Sequence, residues 1–199
     1  MSRTILLTVV MAAIIGYFTI QESWIIPLER ASLGFLYLLL VGVGFDLAST
    51  PNSLSLTRGL TPLALLGIPL SALGSIGGAA LVMALLGGKV SLGAAIGAGF
   101  GWYSLASVIL AGEVGATAAA LAFLCNIIRE LIAFLLMPLA TRRYGIAGVA
   151  LGGATTMDTT LKIVSAVGDH QLTIFALVHG MTLSAAVPLL VPLLAQFNP

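Results

Sequence analysis

Asp158 stands in Gly152-Gly153-Ala154-Thr155-Thr156-Met157-Asp158-Thr159-Thr160, a run of two glycines, four threonines and a carboxylate with apolar sequence on either side. Lipid offers freed backbone groups no partners, so such a break at membrane depth is stable only inside protein or against a water-filled cavity. A carboxylate at that depth costs roughly 2.5–3.5 kcal/mol to insert and marks a functional position. The plainer explanation, a small-residue helix contact, seldom includes a carboxylate. Asp46, Glu130 and Asp158 are the acids within apolar segments; Glu113 and Asp169 fall at segment ends. Glu130 shares a helical face with Asn126, four residues earlier, and Arg129 lies about 100° around the helix from it. An amide, a carboxylate and a guanidinium thus point into one bundle over a single turn. The architectural alternative is a salt bridge from Arg129 to Asp46 or Asp158.

A second break, at Gly97, Gly99 and Gly101, is followed by Trp102-Tyr103-Ser104. Half-helices starting after Ser104 and after Asp158 would aim their N–H groups inward, which suits an anionic group such as an amino-acid carboxylate. Glu130 and Asp158 suit a cation. The candidate substrate- or ion-binding set is therefore Asp158, Glu130, Asn126, Arg129, Thr155, Thr156, Thr159, Ser104, Tyr103, Trp102 and His179. Trp102 and Tyr103 serve equally as interfacial or packing aromatics. Lys162, one turn past Asp158, either neutralises it or snorkels to the interface. His179 titrates near neutral pH in water and reads as a proton relay or as a hydrogen-bonded packing residue beside Gly180. A Ser104–His179 hydrolase dyad is disfavoured because no glycine follows the serine, so the chain is not read as an enzyme. Neither zinc spacing nor a phosphate-cradling Gly-rich loop is present in the sequence, so no cofactor or metal is expected beyond a coupling ion, H⁺ or Na⁺.

These residues need membrane elements to hold them. Of 199 residues, 59% are apolar and 8% charged, with mean hydropathy +1.14, the composition of an integral membrane protein. Eight basic against seven acidic residues disfavour nucleic acid as a partner. The lone Cys125 lies in an apolar segment and reads as a packing residue. Met1-Ser2-Arg3 and the apolar run 4–20 have the start of a signal peptide but no small-residue cleavage site, which predicts a retained helix.

At about 20 residues per crossing, seven segments are predicted: 4–20, 31–47, 62–86, 91–111, 116–140, 146–167 and 172–197. The expected fold class is all-α and polytopic, with about five transmembrane helices plus two Gly-rich broken segments, 91–111 and 146–167. Residues 1–90 would form three helices of a scaffold part, and 91–199 a transport core with 116–140 and 172–197 intact. Each broken segment either crosses as two half-helices or re-enters as a hairpin. Lys and Arg prefer the cytoplasmic side; with the N-terminus inside, hairpins bring Arg142 and Arg143 to the cytoplasm with Arg3 and Arg58. The pattern favours two inverted hairpin-plus-helix units, as transporter repeats often are, with the C-terminus external.

Phe100-Gly101-Trp102-Tyr103-Ser104, Asn126-x-x-Arg129-Glu130-Leu131, Gly153-Ala154-Thr155-Thr156-Met157-Asp158-Thr159-Thr160-Leu161, and Val178-His179-Gly180 with Val187-Pro188 beyond, in this order, resemble the bacterial lysine exporters of the LysO type. The motifs cover the second half densely; the first ninety residues match as a hydropathy pattern. The resemblance implies export of L-lysine and related basic amino acids across the plasma membrane by cation-coupled antiport, with Glu130 and Asp158 essential. Full-length members carry about three further N-terminal segments, so this chain is expected to be the C-terminal portion of a split or shortened member. Its partner would be a small three-helix membrane protein or a second copy. Lys162 stands where the family has proline. The rival expectations are a cation/proton antiporter and a non-transporting membrane scaffold subunit.

Overall fold

The computed structural model describes residues 60 and 62–197, with the isolated helical positions Met11, Leu38 and Val41. The chain divides into two units, Met1–Val41 and Gly42–Pro199. The expected segments 4–20 and 31–47, with Asp46 and Arg58, lie outside the described residues.

Among the described residues every regular element is helical. The order is α1 (Pro62–Leu85), α2 (Val90–Gly97), α3 (Tyr103–Glu113), α4 (Ala116–Tyr144), α5 (Ile146–Val149), a 3-10 turn (Gly153–Met157), α6 (Leu161–Val167) and α7 (His170–Gln196). Within α1, α4 and α7 the spans Ala64–Leu85, Ala116–Tyr144 and His170–Gln196 are long and apolar enough to cross a bilayer. α4 buries Ala118, Ala122, Asn126, Glu130, Ala133, Met137 and Thr141. That spacing of three and four makes one stripe along the helix. Its other faces expose Leu124, Ile128, Leu131 and Leu135, as lipid permits.

Contacts between elements decide the path of the broken segments. α2 runs antiparallel to α1: Gly93 faces Ala79, Ala80 and Met83, while Gly97 faces Ser75 and Ile76, about half-way along α1. α3 then returns alongside α4, with the Tyr103 ring against Phe123 at 5.4 Å and only Val114 and Gly115 between the two helices. α4 is antiparallel to α1, because Arg129 meets Ser75 and Ile146, just beyond α4, packs on Gly67. The first broken segment thus enters from the end where α1 finishes and leaves by that same end. The second does the converse. α5 rises beside the C-terminal part of α4, with Gly148 packed against the backbone of Ala140 and Thr141. α6 descends beside α7, from Met157 at Gly180 to Gly168 at Leu172. α7 itself runs parallel to α1, Phe175 lying near Gly67 and His179 bonding Ser71.

Two hairpins therefore re-enter from opposite ends, each followed by an intact helix, as the sequence led us to expect. The half-helices are placed a little differently. α3 starts at Tyr103, before Ser104, and a 3-10 turn rather than coil fills Gly153–Met157, so α6 begins only at Leu161. Cys125 is exposed, which corrects its reading as a packing residue: it lies off the buried stripe of α4.

α7 is capped by Asp169, whose carboxylate accepts from Leu172 N at 2.7 Å, a contact of the kind worth about 1 kcal/mol. α7 approaches the second hairpin most closely at Gly180, where a Cβ would collide with Met157 N and stand 2.7 Å from Thr156 Oγ1. Gly180→Val is expected to destabilise the protein by about 1–3 kcal/mol or more, as overpacking does. Thermal unfolding of the purified protein in detergent measures this.

Candidate functional site

The site is built where the two hairpin tips touch. At the first tip Phe100 takes φ 49° and Gly101 φ 93°, backbone geometry costing of order 1–2 kcal/mol for a residue with a Cβ. In that conformation the Phe100 carbonyl accepts from Ala154 N at 2.9 Å, a direct backbone bond between the hairpins. Gly153 makes the approach feasible: its φ is 62°, and a Cβ there would collide with Phe100 O.

Asn126 secures the first tip. Its Oδ1 accepts from Gly101 N at 2.8 Å, and its Nδ2 donates to Ile96 O at 3.1 Å and Ala122 O at 2.9 Å. The amide is consumed by backbone, and Asn126 thereby positions the first tip. Thr155 and Thr156 are likewise inside the second tip. Thr155 Oγ1 donates to Gly152 O at 2.9 Å and lies 3.3 Å from Thr160 Oγ1. Thr156 Oγ1 donates to Gly153 O at 2.8 Å and meets His179 Nδ1 at 3.1 Å. The other ring nitrogen of His179 lies 2.8 Å from Ser71 Oγ. His179, fully buried, therefore ties α7 to α1 and to the second tip, and its partners are Ser71 and Thr156 rather than Ser104.

Arg129 turns away from Glu130. Its NH1 donates to Ser75 Oγ at 2.7 Å, and Nε and NH2 reach Leu151 O and Ala150 O, each at 3.5 Å. These are the carbonyls at the C-terminal end of α5, where a cation is favoured. Asp158 is not its partner, which corrects the salt-bridge alternative for that residue; Asp46 lies outside the described residues.

The carboxylates converge on Thr159. Thr159 Oγ1 donates to Glu130 Oε1 at 2.8 Å, and Thr159 N donates to Asp158 Oδ1. Tyr103 lies within electrostatic reach of both acids. Glu130 is nearly buried, while Asp158 and Thr159 are exposed. The result is a polar spot of two carboxylates and one hydroxyl half-way along the bundle, able to accept a cation or ammonium. Ser104 and Lys162 are exposed nearby in sequence, and Trp102, the residue capping α3, is half-buried; no side-chain hydrogen bond brings them to the acids among the described residues. Ser71 and Ser75, which the sequence reading passed over, are the sole polar side chains of α1. Their spacing of four in an otherwise apolar helix was the available signal.

An all-helical membrane protein with two opposed hairpins and mid-bundle acids is a polytopic membrane protein of transporter type, and comparison with known proteins gives the family. The model of the lysine exporter LysO family matches residues 6–195, and the chain belongs to that family. Lysine exporter LysO of Escherichia coli (strain K12) is 40% identical over 97 residues, 49% of this chain and 32% of that protein. A protein of Haemophilus influenzae (strain ATCC 51907 / DSM 11121 / KW20 / Rd) named "Putative lysine exporter" is 30% identical over 196 residues, 97% of each chain. The chain thus spans about a third of the Escherichia coli protein and nearly all of the Haemophilus one. No solved structure matches. The match from residue 6 extends the family likeness of the first ninety residues beyond a hydropathy pattern, and gives no support to the chain being the C-terminal portion of a split member.

Asn126→Ala is expected to leave Gly101 N unpaired in a buried place, at about 1–3 kcal/mol, while Ile96 O keeps its bond from Gly99 N. Thermal unfolding would report the loss; a melting temperature equal to that of the parent would show that Asn126 does not hold the first tip.

Proposed function

We propose that this chain exports L-lysine and related basic amino acids across the plasma membrane by antiport against a cation, H⁺ or Na⁺. The observation that carries this reading is the pairing of Glu130 and Asp158 through Thr159 beside the meeting point of the two hairpins. Such a site takes an ammonium group, and it occupies the place where transporters bind cargo between inverted repeats. The names of its relatives point to the same cargo. Carboxylates that alternate between an ammonium and the coupling ion let each be exchanged for the other, since neither state then leaves the charge unpaired.

Orientation follows from charge. Arg142 and Arg143 close α4 at the end from which the second hairpin enters, and placing that end in the cytoplasm satisfies the positive-inside tendency. The C-terminus of α7 is then external. Asp158 and Thr159 are exposed at a depth where lipid is a poor neighbour, so they face either a water-filled cavity or further protein. A small three-helix membrane protein or a second copy of the chain would supply the latter.

The test is counterflow of labelled lysine into proteoliposomes holding the full chain. Uptake is expected, and Glu130→Gln and Asp158→Asn are each expected to reduce it by at least about tenfold, the loss of one charge-assisted contact. Sodium-driven proton flux with no lysine uptake would replace this reading with a cation/proton antiporter.

A further inference from the structure

Around α4 from Glu130, a cleft of about 540 Å³ opens between α1, α2, α4 and α5. Its polar lining is Ser71, Ser75, Asn126 and Arg129, and Arg129 is the sole charged residue among those lining it. Asn126 is fully engaged with backbone, and Ser75 Oγ donates to Gly97 O at 2.7 Å while accepting from Arg129. The free chemistry of the cleft is therefore the guanidinium. Three of its five N–H groups are used, all on neutral oxygens, and two of those contacts stretch to 3.5 Å. A half-buried cation held only by neutral partners is incompletely compensated, and the two remaining N–H groups form part of a planar fork that matches a carboxylate.

We propose that this cleft is a carboxylate-binding site, and that Arg129 receives the α-carboxylate of the cargo amino acid whose cationic end is taken by Glu130 and Asp158. The second half of this statement rests on the export reading above. Arg129 and Glu130 are consecutive on α4, about 3.8 Å apart at Cα, with side chains diverging by about 100°. They present a positive and a negative group at a separation set by their side chains, the reverse of what a basic amino acid presents. Arg129 is thereby the residue that distinguishes an amino acid from a simple diamine, because a site built around a charged group rejects analogues that leave it unpaired.

Ligand-induced thermal stabilisation of the purified full chain tests this with three probes. L-Lysine carries both charged ends, L-norleucine lacks the ε-ammonium, and 1,5-diaminopentane lacks the carboxylate. The parent protein should be stabilised by all three. Arg129→Gln should weaken norleucine about ten- to a hundredfold, the worth of hydrogen bonds to a charged group, and leave the diamine unchanged; Glu130→Gln should do the reverse. If Arg129→Gln does not fold, Arg129→Lys keeps the charge without the fork and should weaken norleucine selectively. Unchanged norleucine affinity in Arg129→Gln, equal losses for norleucine and diamine in either Arg129 variant, or no norleucine binding by the parent would overturn the assignment. A parent that binds norleucine but neither lysine nor the diamine would overturn the export reading while leaving the carboxylate site standing.

Discussion

Backbone polar groups released at mid-membrane have no water to turn to, and the whole arrangement follows from satisfying them within protein. The bond from Ala154 N to the Phe100 carbonyl does so for both hairpins at once. It requires a left-handed turn at Phe100 and Gly101, and it requires Gly153, since any side chain there would strike Phe100 O. Three side chains from the intact helices hold the rest of the hairpins in place. Asn126 serves the end of α2 and the first tip, Arg129 the carbonyls at the end of α5, and His179 the threonine that closes the second tip. The polar residues that look like ligands in the sequence are thus divided between those that hold backbone and those left to meet a solute.

That division explains the chemistry open to the site. Glu130 and Asp158 are both tied to Thr159, so movement of the second tip changes the surroundings of both acids together. Arg129, one residue away on α4, faces the adjoining cleft between α1, α2, α4 and α5. Charges of opposite sign on neighbouring faces of one helix would neutralise each other if they met; Arg129 is held by Ser75 and the Ala150 and Leu151 carbonyls and Glu130 by Thr159, which keeps both available.

Much of this architecture was legible in the sequence for physical reasons. Glycine and threonine in place of leucine identified both breaks, and the positions of Arg142 and Arg143 favoured hairpins over crossings, which the packing of α2 on α1 and α6 on α7 bears out. The acids stood out because charge is costly in lipid. What was not legible were contacts made by common residues. Asn126, Thr155 and Thr156 carry the same functional groups whether they bind backbone or cargo, so their type could not separate the roles. Ser71 and Ser75 were hidden because a serine in a Gly- and Ala-rich helix is ordinary until the residue across from it is known. The 3-10 turn at Gly153–Met157 was missed because two glycines and four threonines predict a break without fixing its geometry.

The central claim is that both broken segments turn back at mid-bundle. It is tested most directly by labelling single cysteines from each side of sealed vesicles, in a Cys125→Ser background. Lys89→Cys and Glu113→Cys, the two ends of the first hairpin, should react with an impermeant maleimide from one side. Arg142→Cys and His170→Cys, bracketing the second, should react from the other. Reaction of the Lys89 and Glu113 positions from opposite sides would mean that the first segment crosses the membrane, and the meeting of two opposed hairpins would be contradicted.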